Sequence, residues 1–369
     1  MGLASCSGRN IHPELTEDQA VLQRQWTFDT FRGAREAGVP GAEYSNPLLL
    51  ENTLVLGTQS TGLIALYPTL AQTRWVLPIA GGVVSELAVD QGSVYFGGGD
   101  GFLYSVNLEN GHVNWRYELR NPSVSRPTVS GGRVFVTTSD DVVYAFDSGT
   151  GKWLWHYRRR SSQPATIYGA SAPLVEGNEV LAGLSDGFLV SLSIFDGQLK
   201  SERKLHTGTK FTDVDAHPVI DGGVLYIPSY DGSLYALKKD TKDVIWRFEA
   251  GGVRQVAIEG DRLFLPSSDG TIYALQKDSS KVLWKFELDG GTPTQILTTD
   301  RYLIVGSSFQ YLYVLDKQTG EGKYRLNIGY GSGFSGSFSS SPSQNQLFAF
   351  SSGGRLYSFK IQGEGNRKK

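Results

Sequence analysis

An aromatic ladder with a fixed spacing runs through this chain and constrains its fold more than any other feature. A tyrosine is followed eleven residues later by a tryptophan, as in Tyr104 and Trp115. Most copies also read Asp-Gly, one residue, Leu or Ile, and then Tyr, as in Asp231–Tyr235. A repeat of about forty residues built from short strands is typical of a radial array of small sheets. The ladder therefore predicts an all-β propeller.

Degenerate copies bring the number of repeats to eight. The tyrosine position is occupied by Ile64, Tyr104, Tyr144, Val190, Tyr235, Tyr273, Tyr313 and Tyr357. Tyr357 has no aromatic partner downstream, whereas Trp26 has no tyrosine before it. We therefore predict eight four-stranded antiparallel blades. The strand around Trp26 should complete the last blade, because this closes the ring and removes its exposed edges.

The third repeat shows the four strands of a blade most clearly. Alternating apolar residues and glycine-containing turns predict them at Ser125–Val129, Arg133–Thr138, Val142–Asp147 and Lys152–Tyr157. No long apolar stripe with a helical period is present, so helix content should be low. The Tyr and Trp side chains are expected to pack between blades, and the Asp-Gly pairs to form tight turns and not metal sites.

Length and composition limit the domain organisation and the partners. The chain has 369 residues, and the repeats run nearly end to end. Residues 22–361 are therefore predicted to form one propeller, with a tether at 1–21 and a polar tail at 362–369. A formal net charge of −2 argues against a general nucleic-acid binder. No apolar run reaches transmembrane length.

The single cysteine lies in a short motif near the N-terminus. Leu3-Ala4-Ser5-Cys6 resembles a bacterial lipobox, in which the cysteine becomes the acylated first residue of the mature protein. The apolar stretch that should precede the motif is missing, and we expect the chain to begin just before the cleavage site. The resemblance implies that Cys6 carries a lipid anchor, which would be the chain's only attachment to a membrane.

Two longer segments narrow the family. The repeat itself is similar to the pyrroloquinoline-quinone-type propeller repeat of quinoprotein dehydrogenases and of several non-enzymes. Residues 167–173 read Ile-Tyr-Gly-Ala-Ser-Ala-Pro, and residues 212–218 read Thr-Asp-Val-Asp-Ala-His-Pro. Both resemble segments of the outer-membrane assembly lipoprotein family BamB, at the same place relative to the blades. The resemblance covers residues 22–361.

This resemblance implies a non-catalytic scaffold at the periplasmic face of the outer membrane, monomeric outside its complex. In that family the two loops bind the periplasmic POTRA domains of BamA, and the protein assists the folding and insertion of outer-membrane proteins, its clients. The matching contact positions here are Ile167, Tyr168, Gly169, Asp213 and Asp215.

The chain departs from the family pattern inside the first of these loops. Ala165 stands where the first leucine is usual, and Tyr168 where arginine is usual. Tyrosine lacks the charged, forked donor of arginine, so the partner contact should differ in detail. The basic cluster Arg158–Arg160, in the same connection, could compensate for the lost charge or could simply be solvated.

The lengths of the connections between blades point to the same two loops. The interval from the Trp position to the next Tyr position is 29 residues between Trp75 and Tyr104, but 35 before the fourth blade, 34 before the fifth and 33 before the eighth. The fourth and fifth blades are neighbours. Such neighbouring loops emerge on one face, and function often lies on loops held by a rigid scaffold. Tyr168 and Phe211 would be aromatic anchors of this patch. Its aspartates could also hydrogen-bond the loop backbone.

Two other functions remain open from the sequence. Quinoprotein dehydrogenases share the repeat, but they are usually longer and often carry a vicinal disulfide, which a chain with one cysteine cannot form. The five histidines show no zinc-type spacing, so we predict no catalytic residue, metal site or cofactor. The second alternative is a periplasmic propeller scaffold for another envelope complex. The Gly- and Ser-rich run 329–341 could be a flexible connection or a second contact surface.

Overall fold

Short apolar runs separated by glycine turns fold into antiparallel strands that assemble as eight four-stranded sheets in a ring. The computed structural model describes residues 21–30, 43, 45–160, 171–205, 217–229, 231–252, 254–330, 332–341 and 345–362. Across these ranges the chain forms strands and turns, and no helix. The predicted eight-bladed propeller is confirmed, as is the low helix content of the described ranges.

The N-terminal strand β1 (Leu22–Asp29) precedes the first four blades in sequence. Blade 1 consists of β2 (Leu48–Leu50), β3 (Thr53–Thr58), β4 (Gly62–Tyr67) and β5 (Gln72–Pro78). Blade 2 consists of β6 (Ala88–Asp90), β7 (Ser93–Gly97), β8 (Phe102–Asn107) and β9 (Val113–Glu118). Blade 3 consists of β10 (Thr128–Ser130), β11 (Arg133–Thr137), β12 (Val142–Asp147) and β13 (Trp153–Arg158). Blade 4 consists of β14 (Leu174–Glu176), β15 (Glu179–Gly183), β16 (Phe188–Ser193) and β17 (Leu199–Lys204).

The remaining four blades follow the same order. Blade 5 consists of β18 (Val219–Asp221), β19 (Val224–Ser229), β20 (Ser233–Lys238) and β21 (Val244–Phe248). Blade 6 consists of β22 (Ala257–Glu259), β23 (Arg262–Pro266), β24 (Thr271–Gln276) and β25 (Val282–Glu287). Blade 7 consists of β26 (Pro293–Thr298), β27 (Tyr302–Ser307), β28 (Tyr311–Asp316) and β29 (Gly322–Asn327). Blade 8 consists of β30 (Ser339–Ser341), β31 (Gln346–Phe350), β32 (Arg355–Ile361) and β1.

The N-terminal strand closes the ring as predicted. β1 pairs antiparallel with β32, from Leu22 opposite Ile361 to Asp29 opposite Arg355. The Arg355 guanidinium donates to the Asp29 carboxylate at 2.6 Å, and the Trp26 indole donates to the Pro68 carbonyl of blade 1 at 3.0 Å. The strand is therefore hydrogen-bonded within blade 8 and also joined to blade 1.

Blade 3 shows where the strand prediction was accurate. β12 has the predicted bounds, β11 ends one residue earlier than predicted, and β13 is shifted by one residue at both ends. The first strand begins at Thr128 and not at Ser125, at the same repeat position as β6 in blade 2. Ser125 instead uses its hydroxyl, which accepts the Thr137 N–H at 3.3 Å.

Six of the eight joints between blades are built by one tryptophan each, which confirms the predicted packing role. Each indole N–H donates at 2.8–3.2 Å to a backbone carbonyl of the next blade. The pairs are Trp26–Pro68, Trp75–Leu108, Trp115–Ser148, Trp155–Ile194, Trp246–Lys277 and Trp284–Lys317. At Gly151, where φ is 70°, a Cβ would stand 2.5 Å from the Trp115 ring. This glycine is needed both for its backbone conformation and for the close approach of the ring.

The joint between blades 4 and 5 replaces this tryptophan with a polar arrangement. Ser201 stands at the tryptophan position, and Lys242 stands where four of the six tryptophan joints have a facing glycine. The Lys242 side chain is only 8% exposed, and its ammonium group donates to the Lys239 carbonyl. In the tryptophan joints, the equivalent carbonyl accepts the indole N–H. Glu179 balances the buried charge at 3.7 Å, so a lysine takes over both the space and the hydrogen bond.

The Asp-Gly turns are fastened by the tyrosine that follows them. The Asp231 carboxylate accepts the Tyr235 hydroxyl at 2.6 Å and the Ser233 N–H at 3.0 Å. The same Asp–Tyr bond measures 2.6 Å between Asp100 and Tyr104. The aspartate therefore connects the turn to the strand that it begins, which explains why Asp and Tyr recur together.

Candidate partner-binding face and channel mouth

The described ends of both predicted loops lie on one face of the disk. In every blade the chain enters the innermost strand from this side, and the turns between second and third strands lie on it too. We call it the connection face. The predicted contact residues Ile167, Tyr168, Gly169, Phe211, Asp213 and Asp215 lie outside the described residues, as does Cys6.

The described ends of the two loops meet. The Ala172 N–H, at the end of the first loop, donates to Nδ1 of His217, at the end of the second, over 3.3 Å. These residues are 45 positions apart in sequence. The two loops therefore return to the ring side by side, at the joint between blades 4 and 5.

His217 is held neutral at this junction. Burial, followed by the positive charge of Arg126, lowers the pKa of His217 to about 4. Glu86 opposes this shift, and Arg254 adds a smaller lowering effect. A neutral imidazole carries one proton, and Nδ1 accepts a hydrogen bond. The proton must therefore be on Nε2.

The basic cluster at the start of the first loop is mostly engaged within the chain. Arg158 pairs with Asp140. Arg159 pairs with Asp186 and, at 3.0 Å, with Glu202, and it stacks 3.5 Å from the centre of the Phe188 ring. Arg158 and Arg159 are thus poorly suited to replace the arginine missing from the first loop, which leaves the exposed Arg160 for that role.

Eight equivalent positions surround the mouth of the central channel on the connection face. Seven of them lie two residues before the first, innermost strand of their blade, and the one in blade 7 lies inside β26. Neighbouring first strands such as β6, β10 and β14 contact one another. In chain order the positions hold Asn46, Glu86, Arg126, Ala172, His217, Gln255, Gln295 and Ser337. The sequence analysis did not identify this ring, although the repeat register was sufficient to align it.

Charge is unevenly distributed around this ring. The Glu86 carboxylate is occupied by the N–H of Ser337 at 3.1 Å and its hydroxyl at 2.8 Å, on the blade 8 side. Arg126 forms no ion pair with any residue that the structure describes, and it lies on the His217 side. A cavity of about 430 Å³ continues below, lined by first-strand residues of blades 5 to 8.

A buried carboxyl group lies at the joint between blades 8 and 1. Glu43 is 1% exposed, and one carboxylate oxygen accepts the Gln59 N–H at 2.8 Å. The other oxygen has no hydrogen-bond partner in the part of the chain that the structure describes. Burial raises the pKa of Glu43 to about 7, against the lowering effect of the Gln59 bond. The backbone of Glu43 also bonds Ser352 and Ser335.

The Gly- and Ser-rich run is part of the ring where it is described. Phe334 is buried in the core of the last blades, and Ser337 bonds Glu86. Tyr330, in contrast, is 89% exposed, and its ring is nearly perpendicular to that of Phe309, with the ring centroids 5.3 Å apart. This part of the run therefore packs as a blade connection and presents one aromatic side chain to solvent.

The described residues offer no recognisable metal or membrane-spanning element. Within them, no group of three or more His, Cys, Asp or Glu side chains could hold a metal ion. No helix among them is long and apolar enough to cross a membrane.

Comparison with known proteins agrees with this architecture. The family model described as outer membrane protein assembly factor BamB matches residues 72–286 and 230–367. The BamB of Yersinia pestis is 28% identical over 171 residues, which are 45% of this chain and 43% of that relative's length. The crystal structure of BamB from Moraxella catarrhalis superposes with a TM-score of 0.77 at 20% identity, covering 92% of this chain and 99% of that one.

The enzymes of the same architecture are also similar in fold. A quinohemoprotein alcohol dehydrogenase from Comamonas testosteroni superposes with a TM-score of 0.74 at 12% identity, covering 95% of this chain and 78% of that one. The chain is thus an eight-bladed propeller built from pyrroloquinoline-quinone-type repeats. Because the family model matches well over half of it, the chain belongs to the outer membrane protein assembly factor BamB family.

Proposed function

We propose that this chain is a non-catalytic scaffold of the outer-membrane β-barrel assembly machinery, binding the POTRA region of a BamA-like protein. The main support for this proposal is family membership, since the matched relatives are named outer membrane protein assembly factors. The convergence of the two loop ends at Ala172 and His217 supports a single binding patch. Its centre would be Tyr168, Asp213 and Asp215, surrounded by Ile167, Gly169 and Phe211.

The proposed location is the periplasmic face of the outer membrane, with a lipid on Cys6. When the protein is expressed behind a signal peptide, mass spectrometry of its N-terminus from envelope preparations should find acylated Cys6. Unmodified Cys6 in that fraction would contradict the anchor but not the partner surface.

Titration of a purified POTRA region tests the partner surface. Tyr168→Ala and the double change Asp213→Ala/Asp215→Ala should each weaken binding by about 2 kcal/mol or more, roughly thirtyfold, because contact energy is concentrated in a few central residues. Tyr330→Ala is the matched control, since Tyr330 is an exposed aromatic before blade 8. Melting temperatures should be unchanged throughout.

The outcomes separate the alternatives. Equal affinities for the wild type and both loop variants would exclude this patch, and a loss with Tyr330→Ala instead would place the interface at blade 8. If binding and melting temperature fall together, the aspartates serve the loop backbone. Quinone-dependent alcohol oxidation after addition of quinone and calcium, abolished by changing one central carboxylate, would favour the dehydrogenase alternative.

A further inference from the structure

Two side chains at the ring positions of the channel mouth carry hydrogen-bond donors that have no acceptor among the described residues. The first is Nε2 of His217, which carries the proton because Nδ1 accepts the Ala172 N–H at 3.3 Å. The second is the half-buried guanidinium of Arg126, which forms no ion pair with the described residues. Groups of this kind, partly removed from water, normally have a partner.

Their positions in the ring place these donors on either side of one small residue. Arg126, Ala172 and His217 are the equivalent ring positions of blades 3, 4 and 5. Alanine projects no further than its methyl group, so it does not separate the two longer side chains. The proximity is also electrostatic, because Arg126 disfavours a proton on His217.

The nearby charges do not satisfy these donors. Arg254, one residue before the ring position of blade 6, adds a second positive charge close to His217 and is itself engaged elsewhere. Glu86, the one acidic residue among the eight positions, is bound to Ser337. Among the described residues, the ring positions and their immediate neighbours therefore carry an excess of positive charge on the side of blades 3 to 6.

We propose that Arg126 and His217 form a carboxylate-binding site at the channel mouth. The guanidinium fork would bind both oxygens of the carboxylate, as its planar geometry favours, and Nε2–H of His217 would donate a third hydrogen bond. Because His217 is neutral in the empty site, binding of a carboxylate should be coupled to the protonation of this imidazole. A bound anion offsets Arg126 and Arg254, so His217 should take up a proton more readily when the site is filled.

The carboxylate could come from a free small molecule or from an acidic side chain of a partner docked on the connection face. A carboxylate from a docked partner rests on the proposed function, because the site lies where the two loops return to the ring. A carboxylate from a free small molecule does not depend on that function. Both use the same chemistry, and the experiment below distinguishes them.

Proton NMR of the His217 imidazole provides the test. Acetate should produce a saturable shift of the His217 ring signals and raise its apparent pKa, whereas chloride at equal ionic strength should not. Arg126→Gln should abolish the response while leaving the melting temperature unchanged. Arg120→Gln, which removes the same charge near the outer groove of blades 2 and 3, should leave it intact.

An acetate response no larger than that of chloride, or one that survives in Arg126→Gln, would overturn the site. Titration of the POTRA region then identifies the source. If Arg126→Gln weakens POTRA binding and acetate competes with it, the carboxylate belongs to the partner. If POTRA binding is unaffected while the acetate response persists, the site binds a free carboxylate. The acetate titration needs no partner protein. Its result therefore tests the carboxylate site independently of the proposed function.

Discussion

Single side chains in this propeller perform several tasks at once. The aspartate of an Asp-Gly turn orders the turn through backbone N–H groups and also accepts the tyrosine hydroxyl four residues later, as Asp269 does for Tyr273 at 2.9 Å. Burial and this carboxylate both raise the pKa of Tyr273. The hydroxyl therefore stays protonated and remains a donor at neutral pH. The sequence predicted the turn, but only the structure showed the bond.

Glu43 offers a pH-dependent test at the residue scale. Its folded pKa of about 7 lies above the usual 4.5. The folded state therefore prefers the protonated form, and stability is lost as pH rises from 4.5 to 7. Glu43→Gln should raise the free energy of unfolding at pH 8 by about 1–3 kcal/mol, with little change at pH 4.5.

Urea denaturation at the two pH values measures this difference. The exposed Glu109→Gln is the matched control and should leave the pH profile as in the wild type. A Glu43→Gln variant that is equally destabilised at both pH values would show that the carboxylate is needed as a charged group.

At the scale of elements, the outer strands hold the blades together through one repeated contact. In six of the eight joints, the tryptophan of an outer strand reaches the hairpin of the next blade, and its N–H donates to a backbone carbonyl there. Ser201 breaks the pattern, and Lys242 compensates for it from the other side of the joint. A cavity of about 290 Å³ lined by Lys200, Lys239 and Lys242 remains beside it.

Restoring the tryptophan should therefore stabilise the joint between blades 4 and 5. The double change Ser201→Trp/Lys242→Gly frees the Lys239 carbonyl, relieves the φ of 62° at residue 242 and buries an indole. We expect a gain of about 2 kcal/mol, the usual scale for burying a large apolar side chain.

The urea midpoint of the double variant provides the measurement. Ser201→Trp alone is the matched control, and it should not stabilise, because the Lys242 side chain still fills the space. A double variant no more stable than the wild type would mean that the lysine arrangement is as favourable as the indole.

For the whole molecule, the decisive feature is closure by a strand distant in sequence. β1 and β32 are more than 300 residues apart, yet they pair over seven registered positions. Without β1, β32 would present an unpaired edge, and blade 1 would lose the indole of Trp26. Open edges of this kind invite association with other chains.

Deletion of residues 1–30 should consequently lower the melting temperature of the entire ring and promote aggregation. Deletion of residues 1–20 is the control, since it leaves β1 intact and should melt like the full chain. Calorimetry with light scattering measures both effects. An unchanged melting temperature after the larger deletion would mean that the ring does not depend on its closing strand.

The sequence by itself determined the blade number, the ring closure and the role of the tryptophans. These follow from local rules repeated at a fixed interval, in which alternation, turn residues and aromatic spacing agree with one another. The start of the first strand in blade 3 was misplaced, because a serine hydroxyl took the place of a ladder hydrogen bond.

Only the tertiary structure decided which side chains meet across blades. Lys242 in a tryptophan's place, the Ala172–His217 hydrogen bond and the ring of Arg126 and Glu86 all join residues from different repeats. A pattern within one repeat does not encode such contacts. They depend on the angle between neighbouring sheets and on which buried charge finds a partner, and both are set when the ring closes.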